Sequence, residues 1–410
     1  MATFVQIGAG KIGRSFIGQL FSAAGYEVVF AEVSEIILRA LNERREYAVE
    51  IRDREPRTIV VRNVRGVDGR DTEAVARELA ECALGATAVG PDYLRYTYPA
   101  IARGLLLRQE RGRGPLDIIL AENLRDAAGV VREGVAQHLP AGFPIGERLG
   151  LVETSIGKMV PIMHPEDEAR DPLLVYAEAY DTLICDARGF LAGVPTVPGL
   201  DAKENIKAYV DRKSFIHNLG HALCAYFAYL DAPQLVFTWQ AIEDEHIGEA
   251  TRRGMWESAR ALIDAYPDEF TEANQGTHIE DLLSRFCNRA LGDTVYRVGR
   301  DVQRKLGPDD RVIGALRFDA AHRVPAPVTT LCAAAGMLFR ATDESGRVFD
   351  RDRGFAESVY PRGVEHVLQS VCGLHPDDPI YPAIAAAHGA ILQAREAGRS
   401  VLDLLPQGRP

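Results

Sequence analysis

A predicted helix at residues 211–230, DRKSFIHNLGHALCAYFAYL, carries an unusual set of polar side chains on one face. At about 100° per residue, this face spans roughly 140° and comprises Lys213, Ser214, His217, Asn218 and His221. An amine, an amide and two imidazoles can transfer a proton and stabilise an oxyanion. The alternative interpretation is an ordinary amphipathic helix, although His and Asn are weaker helix formers than the Glu and Lys of a solvated face.

A glycine-rich turn follows the first predicted strand, TFVQI at residues 3–7, and precedes a helix. The turn matches the pattern GxGxxG and consists of Gly8, Ala9, Gly10, Lys11, Ile12 and Gly13. In the dinucleotide-binding fingerprint the first glycine permits the turn, the second admits a pyrophosphate and the third allows close packing of the helix. The phosphates would lie at the helix N-terminus, where free N–H groups attract anions.

The second predicted strand, EVVFAEV, carries Glu32 near its end. A carboxylate at this position accepts hydrogen bonds from ribose hydroxyls and repels a 2′-phosphate. The sequence therefore predicts NAD as the cofactor in preference to NADP. A glycine-rich turn followed by an unrelated surface glutamate is the alternative.

Further strands are predicted at residues 58–67, 85–90 and 116–123, with helical segments between them. Apolar strands that alternate with helices predict a parallel, doubly wound sheet in an α/β protein. Ligands bind at the carboxyl ends of such strands, so cofactor contacts are expected from Val89, Gly90, Pro91 and Asn123. For Asn123 an Asx-turn is the alternative role.

Two domains are expected, because 410 residues are too many for one hydrophobic core. Strands are predicted at 149–156 and 173–187, a Pro- and Gly-rich linker follows at 193–200, and the remainder is mainly helical. We therefore expect a Rossmann-type domain at 1–195 and a mainly α-helical substrate and catalytic domain at 196–410.

Composition favours a small-molecule partner. The net charge of −11 opposes binding to nucleic acid or to an anionic membrane. The six cysteines show neither CxxC nor zinc spacing, which predicts reduced thiols, a cytoplasmic location and no metal site. Neither a leader segment nor an apolar run of about 18 residues indicates secretion or membrane insertion.

Five segments together resemble the polyol-specific long-chain dehydrogenases: GAGKIGRSFIG at 8–18, TAVGP at 87–91, AEN at 121–123, KSFIHNLGHA at 213–222 and RVGRDVQRKL at 297–306. The resemblance implies metal-independent, NAD-linked interconversion of a polyol, or its phosphate, and a keto sugar. Mannitol 1-phosphate and fructose 6-phosphate are the first candidates. It also implies that Lys213 is the general acid/base, and that Asn218, His221 and Asn123 bind the reacting oxygen.

Four positions depart from the family pattern. Lys11 replaces the usual Asn, Gly157 an Asp, His217 an apolar residue, and Asp301 the Ser of phosphate-specific members. These changes concern the substrate more than the reaction. His217 is interpreted either as a substrate contact or as a histidine on the rim of the site.

A cluster of basic residues is the predicted site for a substrate phosphate: Arg297, Arg300, Arg304 and Lys305. If the segment is one helix, its three arginines fall within about 60° of one another, and guanidinium groups match phosphate oxygens bidentately. Alternatively, carboxylates pair these arginines in a structural network, from Asp301, Asp309 and Asp310.

Two further functions stay open at this point. The chain could act on an unphosphorylated hexitol or a hexuronate, or it could be a non-catalytic NAD-binding sensor. The sequence leaves both a monomer and a homodimer possible.

Overall fold

The computed structural model describes residues 1–163 and 165–406. The chain divides into two compact units, Met1–Val210 and Asp211–Pro410. The division falls within a helix, Ile206–Arg212, beyond the domain boundary predicted near residue 195.

Among the described residues, the first unit contains an eight-stranded and a three-stranded sheet. The strands are β1 Thr3–Ile7, β2 Glu27–Glu32, β3 Glu46–Ile51, β4 Arg57–Arg62, β5 Val64–Asp68, β6 Leu84–Thr87, β7 Leu116–Leu120, β8 Leu149–Ser155, β9 Val175–Ala177, β10 Leu183–Asp186 and β11 Leu200–Lys203. The larger sheet has the order β11-β10-β8-β7-β6-β1-β2-β5. From β8 to β5 all neighbours are parallel, whereas β10 is antiparallel to β8. The predicted parallel, doubly wound sheet is confirmed.

Apolar layers cover both faces of the larger sheet. Successive residues of β1, Phe4 and Val5, belong to opposite layers, as do Val28 and Val29 of β2. Side chains on both faces are therefore removed from water, which accounts for the near-continuous apolar character of these strands. The helical segments of this unit are Gly13–Gly18, Gln19–Ala23, Glu35–Arg44, Thr72–Glu81, Pro91–Tyr96, Tyr98–Glu110, Ala127–Ala136, Ile145–Arg148, Pro165–Arg170 and Ala187–Gly189.

The single strand predicted at residues 58–67 is wrong, because this stretch forms β4 and β5 in two different sheets. Between them Asn63 has φ of 56°, a left-handed conformation that Asn tolerates better than most residues. The chain direction changes there. β4 pairs with β3, a strand that was not predicted.

The strand predicted at residues 173–187 is also two strands, β9 and β10. Between them Glu178 accepts a hydrogen bond from the Met159 N–H, and the Tyr180 carbonyl accepts one from Lys158 Nζ at 2.6 Å. These partners lie in a loop and interrupt the ladder. β11 lies where the linker was expected to give way to helix, and it pairs with β10.

The second unit is mainly helical, as predicted. Its helices after Ile206–Arg212 are Lys213–Asn218, Leu219–Asp231, Thr238–Glu243, Glu245–Ala265, Glu272–Phe286, Arg289–Leu291, Val295–Gly299, Val302–Lys305, Ile313–Ala321, Pro327–Gly336, Asp350–Gly354, Phe355–Val359, Tyr360–Arg362, Val364–Ser370, Ile380–Glu396 and Val401–Leu404. Leu223, Tyr226 and Phe227 are fully buried, as the predicted apolar arc requires. In the described part of the chain no helix is long and apolar enough to cross a membrane. All six cysteines are free.

Candidate active site

The glycine turn after β1 has the shape that a dinucleotide requires. Gly8 has φ of +94°, and a Cβ there would lie 2.7 Å from the Ala88 carbonyl oxygen. A Cβ on Gly13 would clash with the Gly8 carbonyl, so the helix approaches the strand closely. Around Gly10, by contrast, the nearest atom to an added Cβ is 3.9 Å away. Open space above this residue fits the approach of a pyrophosphate.

The carboxylate of Glu32 closes this turn. Oε2 accepts a hydrogen bond from the Ala9 N–H at 2.9 Å, while Oε1 accepts from Val33 and Ser34 N–H at 2.8 and 2.9 Å. An ionised carboxylate has about four acceptor positions, which leaves capacity for a ribose hydroxyl. Lys11 forms an exposed ion pair with Glu168 at 3.6 Å.

Glu122 organises a second loop through backbone hydrogen bonds, a role that was not predicted from the sequence. Its buried carboxylate accepts hydrogen bonds from the N–H groups of Val89 at 3.0 Å and Gly90 at 2.8 Å. Gly90 has φ of +88° and precedes Pro91, so both residues suit the sharp turn after β6. The adjacent Asn123 is exposed at the end of β7.

The helix that contains Lys213 differs from the α-helix assumed for the sequence, because Lys213–Asn218 is a π-helical turn. The Leu219 N–H donates to the Ser214 carbonyl, five residues earlier. In a π-helix the angle between residues five apart is smaller than the roughly 140° of an α-helix. Lys213 and Asn218 therefore lie nearer to the same face. α-Helical geometry resumes at Leu219, so His221 follows Asn218 by nearly one turn.

Lys213 has the electrostatic surroundings of a proton-transfer group. Burial and the nearby positive charge of Arg311 lower the pKa of Lys213 from 10.5 to about 8. Arg311 is itself buried, and it was not singled out from the sequence. An amine with this pKa exchanges its proton near neutral pH.

The two imidazoles of the helix are neutral. Burial, with the positive charges of Arg311, Lys305 and Arg297, lowers the pKa of His221 well below its ordinary value. The pKa of His217 is also lowered, by burial first and then by the neighbouring His221, Arg285 and Lys213.

An aromatic ring holds the two histidines in place. His221 stacks on Phe286 with ring centroids 4.2 Å apart, and His217 lies 5.2 Å from His221. With only 5% of its surface exposed, His217 is not the rim residue of the sequence interpretation. Helix Glu272–Phe286, which supplies the stacking ring, also covers it.

The basic segment, residues 297–306, is not one helix, so the 60° arc predicted for its three arginines on a single helix does not apply. Helix Val295–Gly299 ends before Arg300, and Asp301 adopts a left-handed conformation with φ of 70°. A new short helix then begins at Val302. The break removes the helical period on which the 60° arc depended.

Carboxylates and aromatic rings surround this basic segment. Arg297 pairs with Asp293, while Arg304 bonds to Asp301 at 2.6 Å and to Asp310 at 3.0 Å. The structural network considered as an alternative is therefore present around Arg304.

Two further members of the cluster have different surroundings. The Arg300 guanidinium lies over the rings of Tyr296 and Phe349, 5.4 and 5.2 Å from their centroids. Lys305 is buried and donates to the Val298 carbonyl.

The position that departs most from the family pattern, Gly157, lies in the loop after β8. An added Cβ would meet only ordinary contacts, with the nearest, Tyr180 Oη, at 3.4 Å. The surroundings of Gly157 therefore admit a Cβ. The carboxylate of the family pattern is missing because this residue is Gly, and not because a Cβ would clash. Among the described residues, no group of three or more His, Cys, Asp or Glu side chains is arranged to hold a metal ion.

The family of the chain is established by comparison with known proteins. Residues 2–199 match the mannitol dehydrogenase Rossmann domain, and residues 205–369 match the mannitol dehydrogenase C-terminal domain. The chain belongs to the mannitol dehydrogenase family. Mannitol-1-phosphate 5-dehydrogenase from Bacillus pumilus is 32% identical over 386 residues, which are 93% of this chain and 98% of that protein.

Solved structures share the fold. Pseudomonas fluorescens mannitol 2-dehydrogenase, in a ternary complex with NAD and D-mannitol, has a TM-score of 0.76 and 15% identity, covering 99% of this chain and 95% of that one. A substrate-free D-sorbitol dehydrogenase has the same TM-score and identity, covering 98% and 94%. The sequence-based family, fold class and enzyme class are confirmed: the chain is an NAD-dependent polyol dehydrogenase acting on a CH–OH group.

Proposed function

We propose that this member of the mannitol dehydrogenase family interconverts mannitol 1-phosphate and fructose 6-phosphate with NAD, and that Lys213 is its general acid/base. One observation carries the proposal: Lys213, with a pKa lowered to about 8, begins a π-helical turn that also contains Asn218. Such a group can accept a hydroxyl proton in one direction and return it in the other.

Oxidation of the alcohol requires Lys213 in its neutral form, so that the amine can take the hydroxyl proton. Reduction requires the ammonium form, which donates a proton to the carbonyl oxygen. The bound NAD supplies the hydride acceptor. Since the pKa of Lys213 is lowered to about 8, both forms are well populated near neutral and mildly alkaline pH.

The reacting oxygen needs hydrogen-bond donors as it gains negative charge. We assign Asn218 and His221 to this role, with Asn123 as a further donor. His221 is suited to it because its lowered pKa keeps the imidazole neutral, and a neutral imidazole still donates one N–H. Stacking on Phe286 at 4.2 Å restricts the direction of that N–H.

The residues of the glycine turn fit the cofactor. Gly10 leaves space for the pyrophosphate, and the helix that follows offers unpaired N–H groups. Glu32 retains acceptor capacity for the ribose, and its negative charge disfavours a 2′-phosphate. Further cofactor contacts are assigned to Lys11, Ile12, Gly13, Val89, Gly90 and Pro91.

A phosphorylated substrate is supported by the name of the relative that is 32% identical and by the charges on the second unit. The positive charges of Arg311, Arg297 and Arg285 all act on His221. A local excess of cations favours an anionic substrate. We propose Arg300 as the principal phosphate ligand, because aromatic rings rather than carboxylates flank its guanidinium.

An unphosphorylated hexitol, or a hexuronate, is the second candidate. It is favoured by the pairing of Arg304 with Asp301 and Asp310, which reduces the charge that this arginine offers to a phosphate. Asp301 would itself repel a phosphate placed beside it.

The experiment compares fructose 6-phosphate, fructose and a hexuronate as substrates for NADH oxidation, followed by absorbance. Phosphate recognition predicts a much higher kcat/KM for fructose 6-phosphate and loss of most of that advantage in Arg300→Ala. Arg347→Ala, an exposed arginine in the same unit, is the matched control. Equal efficiency for fructose and fructose 6-phosphate overturns the phosphate assignment, and activity with none of the three indicates a different keto substrate.

Three broader predictions accompany this function. Catalysis should persist after dialysis against a chelator, since no step assigned above uses a metal. A cytoplasmic location stays a prediction, and fractionation of the producing cells tests it. Light scattering coupled to gel filtration distinguishes a monomer from a homodimer.

A further inference from the structure

The segment that carries Arg311 packs directly on the π-helical turn. A Cβ on Gly314 would lie 3.2 Å from Phe215 Cε1, and the Phe215 and Phe318 rings have centroids 5.2 Å apart. Both contacts join helix Ile313–Ala321 to the turn that begins at Lys213. Arg311 lies two residues before this helix and has 8% of its surface exposed.

Asp310 fixes the Arg311 guanidinium. Its Oδ1 accepts hydrogen bonds from Arg311 Nε at 2.8 Å and from the Arg311 backbone N–H at 2.7 Å. Its Oδ2 accepts from Arg304 at 3.0 Å, and Arg304 is held in turn by Asp301. The Asp310 carboxylate is thus shared by two guanidinium groups. It anchors Arg311, and its negative charge is divided between Arg311 and Arg304.

Other ionisable groups near the turn have their own partners or are neutral. Glu257 accepts hydrogen bonds from Val328 and Thr329, and Asp211 accepts one from the Tyr266 hydroxyl at 2.6 Å. On helix Glu272–Phe286, Arg285 pairs with Asp281 at 3.5 Å, and burial lowers the pKa of His278 to about 3. Burial also raises the pKa of Asp319 on helix Ile313–Ala321 and lowers that of His217 in the turn.

The charge on Arg311 reaches the reactive groups. Burial is the first cause of the lowered pKa of Lys213, and Arg311 is the charge that adds to it. For His221, Arg311 is likewise the first cause after burial. The packing and the electrostatics therefore indicate the same residue.

We propose that Arg311, buried and anchored by Asp310 next to the helix that packs on the π-helical turn, is a positioning residue that holds a fixed positive charge near Lys213. The inference rests on the proposed function, in which Lys213 transfers the proton. Arg304 then acts through Asp310 rather than by binding substrate. The basic segment and the helix that contains Lys213 are then connected through Arg304, Asp310 and Arg311 in one electrostatic network.

A direct measurement of Lys213 protonation separates this inference from the proposed function. Competitive acylation with a limiting amount of isotopically labelled anhydride at a series of pH values, followed by complete acylation with unlabelled anhydride and mass spectrometry of the Lys213 peptide, gives the pKa of the amine without any substrate. The variants are Arg311→Met and Arg311→Gln, which remove the charge, and Arg311→Lys, which retains it. Arg317→Met is the matched control, because Arg317 lies on the same helix and donates to backbone carbonyls.

In Arg311→Met and Arg311→Gln the pKa of Lys213 should rise by about one unit, which leaves about tenfold less neutral amine at pH 7. Arg311→Lys and Arg317→Met should stay close to wild type. If one charge-removing variant does not fold, the other carries the test, with near-UV circular dichroism as the check. An unchanged Lys213 pKa in a folded charge-removing variant overturns the inference.

Kinetics then show whether the shifted amine matters. The pH profile for polyol oxidation should move to higher pH in the charge-removing variants by the same amount as the Lys213 pKa, with KM for NAD unchanged. A shifted Lys213 pKa with an unshifted profile would leave the electrostatic inference intact and refute Lys213 as the general base. The two failures are therefore distinguishable.

Discussion

Lys213 and Asn218 are the first and last residues of one π-helical turn. π-Helical turns are rare and occur often at functional sites, and this one changes which side chains share a face. An α-helix would separate the two residues by roughly 140°. The π turn brings an amine and an amide toward the same side, where one could handle the proton and the other the oxygen of a CH–OH group.

Replacing Lys213 by Ala should lower turnover by roughly 10²- to 10⁴-fold, the range for general acid/base catalysis. NADH binding, followed by fluorescence, should stay near the wild-type value because the proposed cofactor residues belong to the first unit. Lys203→Ala is the matched control, a lysine paired with Asp201. Turnover within a few-fold of wild type would assign the base to another residue, such as His217.

The pH dependence of the wild-type enzyme should follow Lys213. Because its pKa is lowered to about 8, oxidation of the polyol should rise with pH and level off above this value, as the amine becomes neutral. Reduction of the keto sugar should fall over the same range, as the ammonium is lost. Initial rates in both directions from roughly pH 6 to pH 10 check this, and parallel rather than opposed profiles would contradict it.

Glu32→Ala should bring the dissociation constants for NADH and NADPH closer together. The substitution removes the charge that repels a 2′-phosphate, and it also deprives the Ala9 N–H of its acceptor, so NADH binding should weaken at the same time. Dissociation constants for NADH and NADPH provide the measurement. Glu35→Ala, an exposed glutamate in the next helix, serves as control, and equal use of both cofactors by the wild type would refute the role of Glu32.

Asp319 should make the second unit less stable as pH rises. It is fully buried, Ser258 is its hydrogen-bond donor at 3.2 Å, and Oδ1 has no hydrogen-bond partner among the described residues. Burial, and then the charge of Glu257, raise the pKa of Asp319 well above its ordinary value. The folded state therefore holds this proton more tightly than the unfolded state does. Its contribution to stability is complete below the unfolded pKa and is lost as pH rises toward the folded pKa.

Asp319→Asn should remove that pH dependence and raise the free energy of unfolding at pH 7 by about 1 kcal/mol or more. Urea denaturation at pH 5 and pH 7 measures the difference. The exposed Asp268 provides the control substitution to Asn. A variant less stable than wild type at both pH values would show that the carboxylate is ionised and compensated.

Structural features that depend on neighbouring residues could be predicted from the sequence. Gly8 needs a positive φ, and Gly13 permits close approach of the helix, so the spacing of glycines alone predicts the turn. The buried arc of the helix at residues 213–231 likewise follows from the hydrophobic periodicity of the sequence. The π turn at Lys213 does not, because this change of backbone period leaves no signal in composition.

Contacts between distant residues explain the remaining misses. Glu122 accepts a hydrogen bond from a backbone N–H 33 residues away, and Arg311 acts on a lysine in another helix. Neither interaction leaves a periodic pattern in the sequence. At Asp301 a signal was available, since Asp tolerates the left-handed conformation that ends a helix. The same applies to Asn63, which separates β4 from β5.

The smaller sheet of the first unit has a consequence for the growing chain on the ribosome. β3 and β4 form an antiparallel hairpin early, but the other edge of β3 pairs with β9, where Ile51 meets Ala177. At synthesis rates of about 5 to 20 residues per second, that edge waits roughly 6 to 25 s for its partner. During this interval a nascent polypeptide exposes an unpaired strand edge that can template aggregation. A ribosome stalled between these positions would hold a chain in which this edge of β3 stays unpaired.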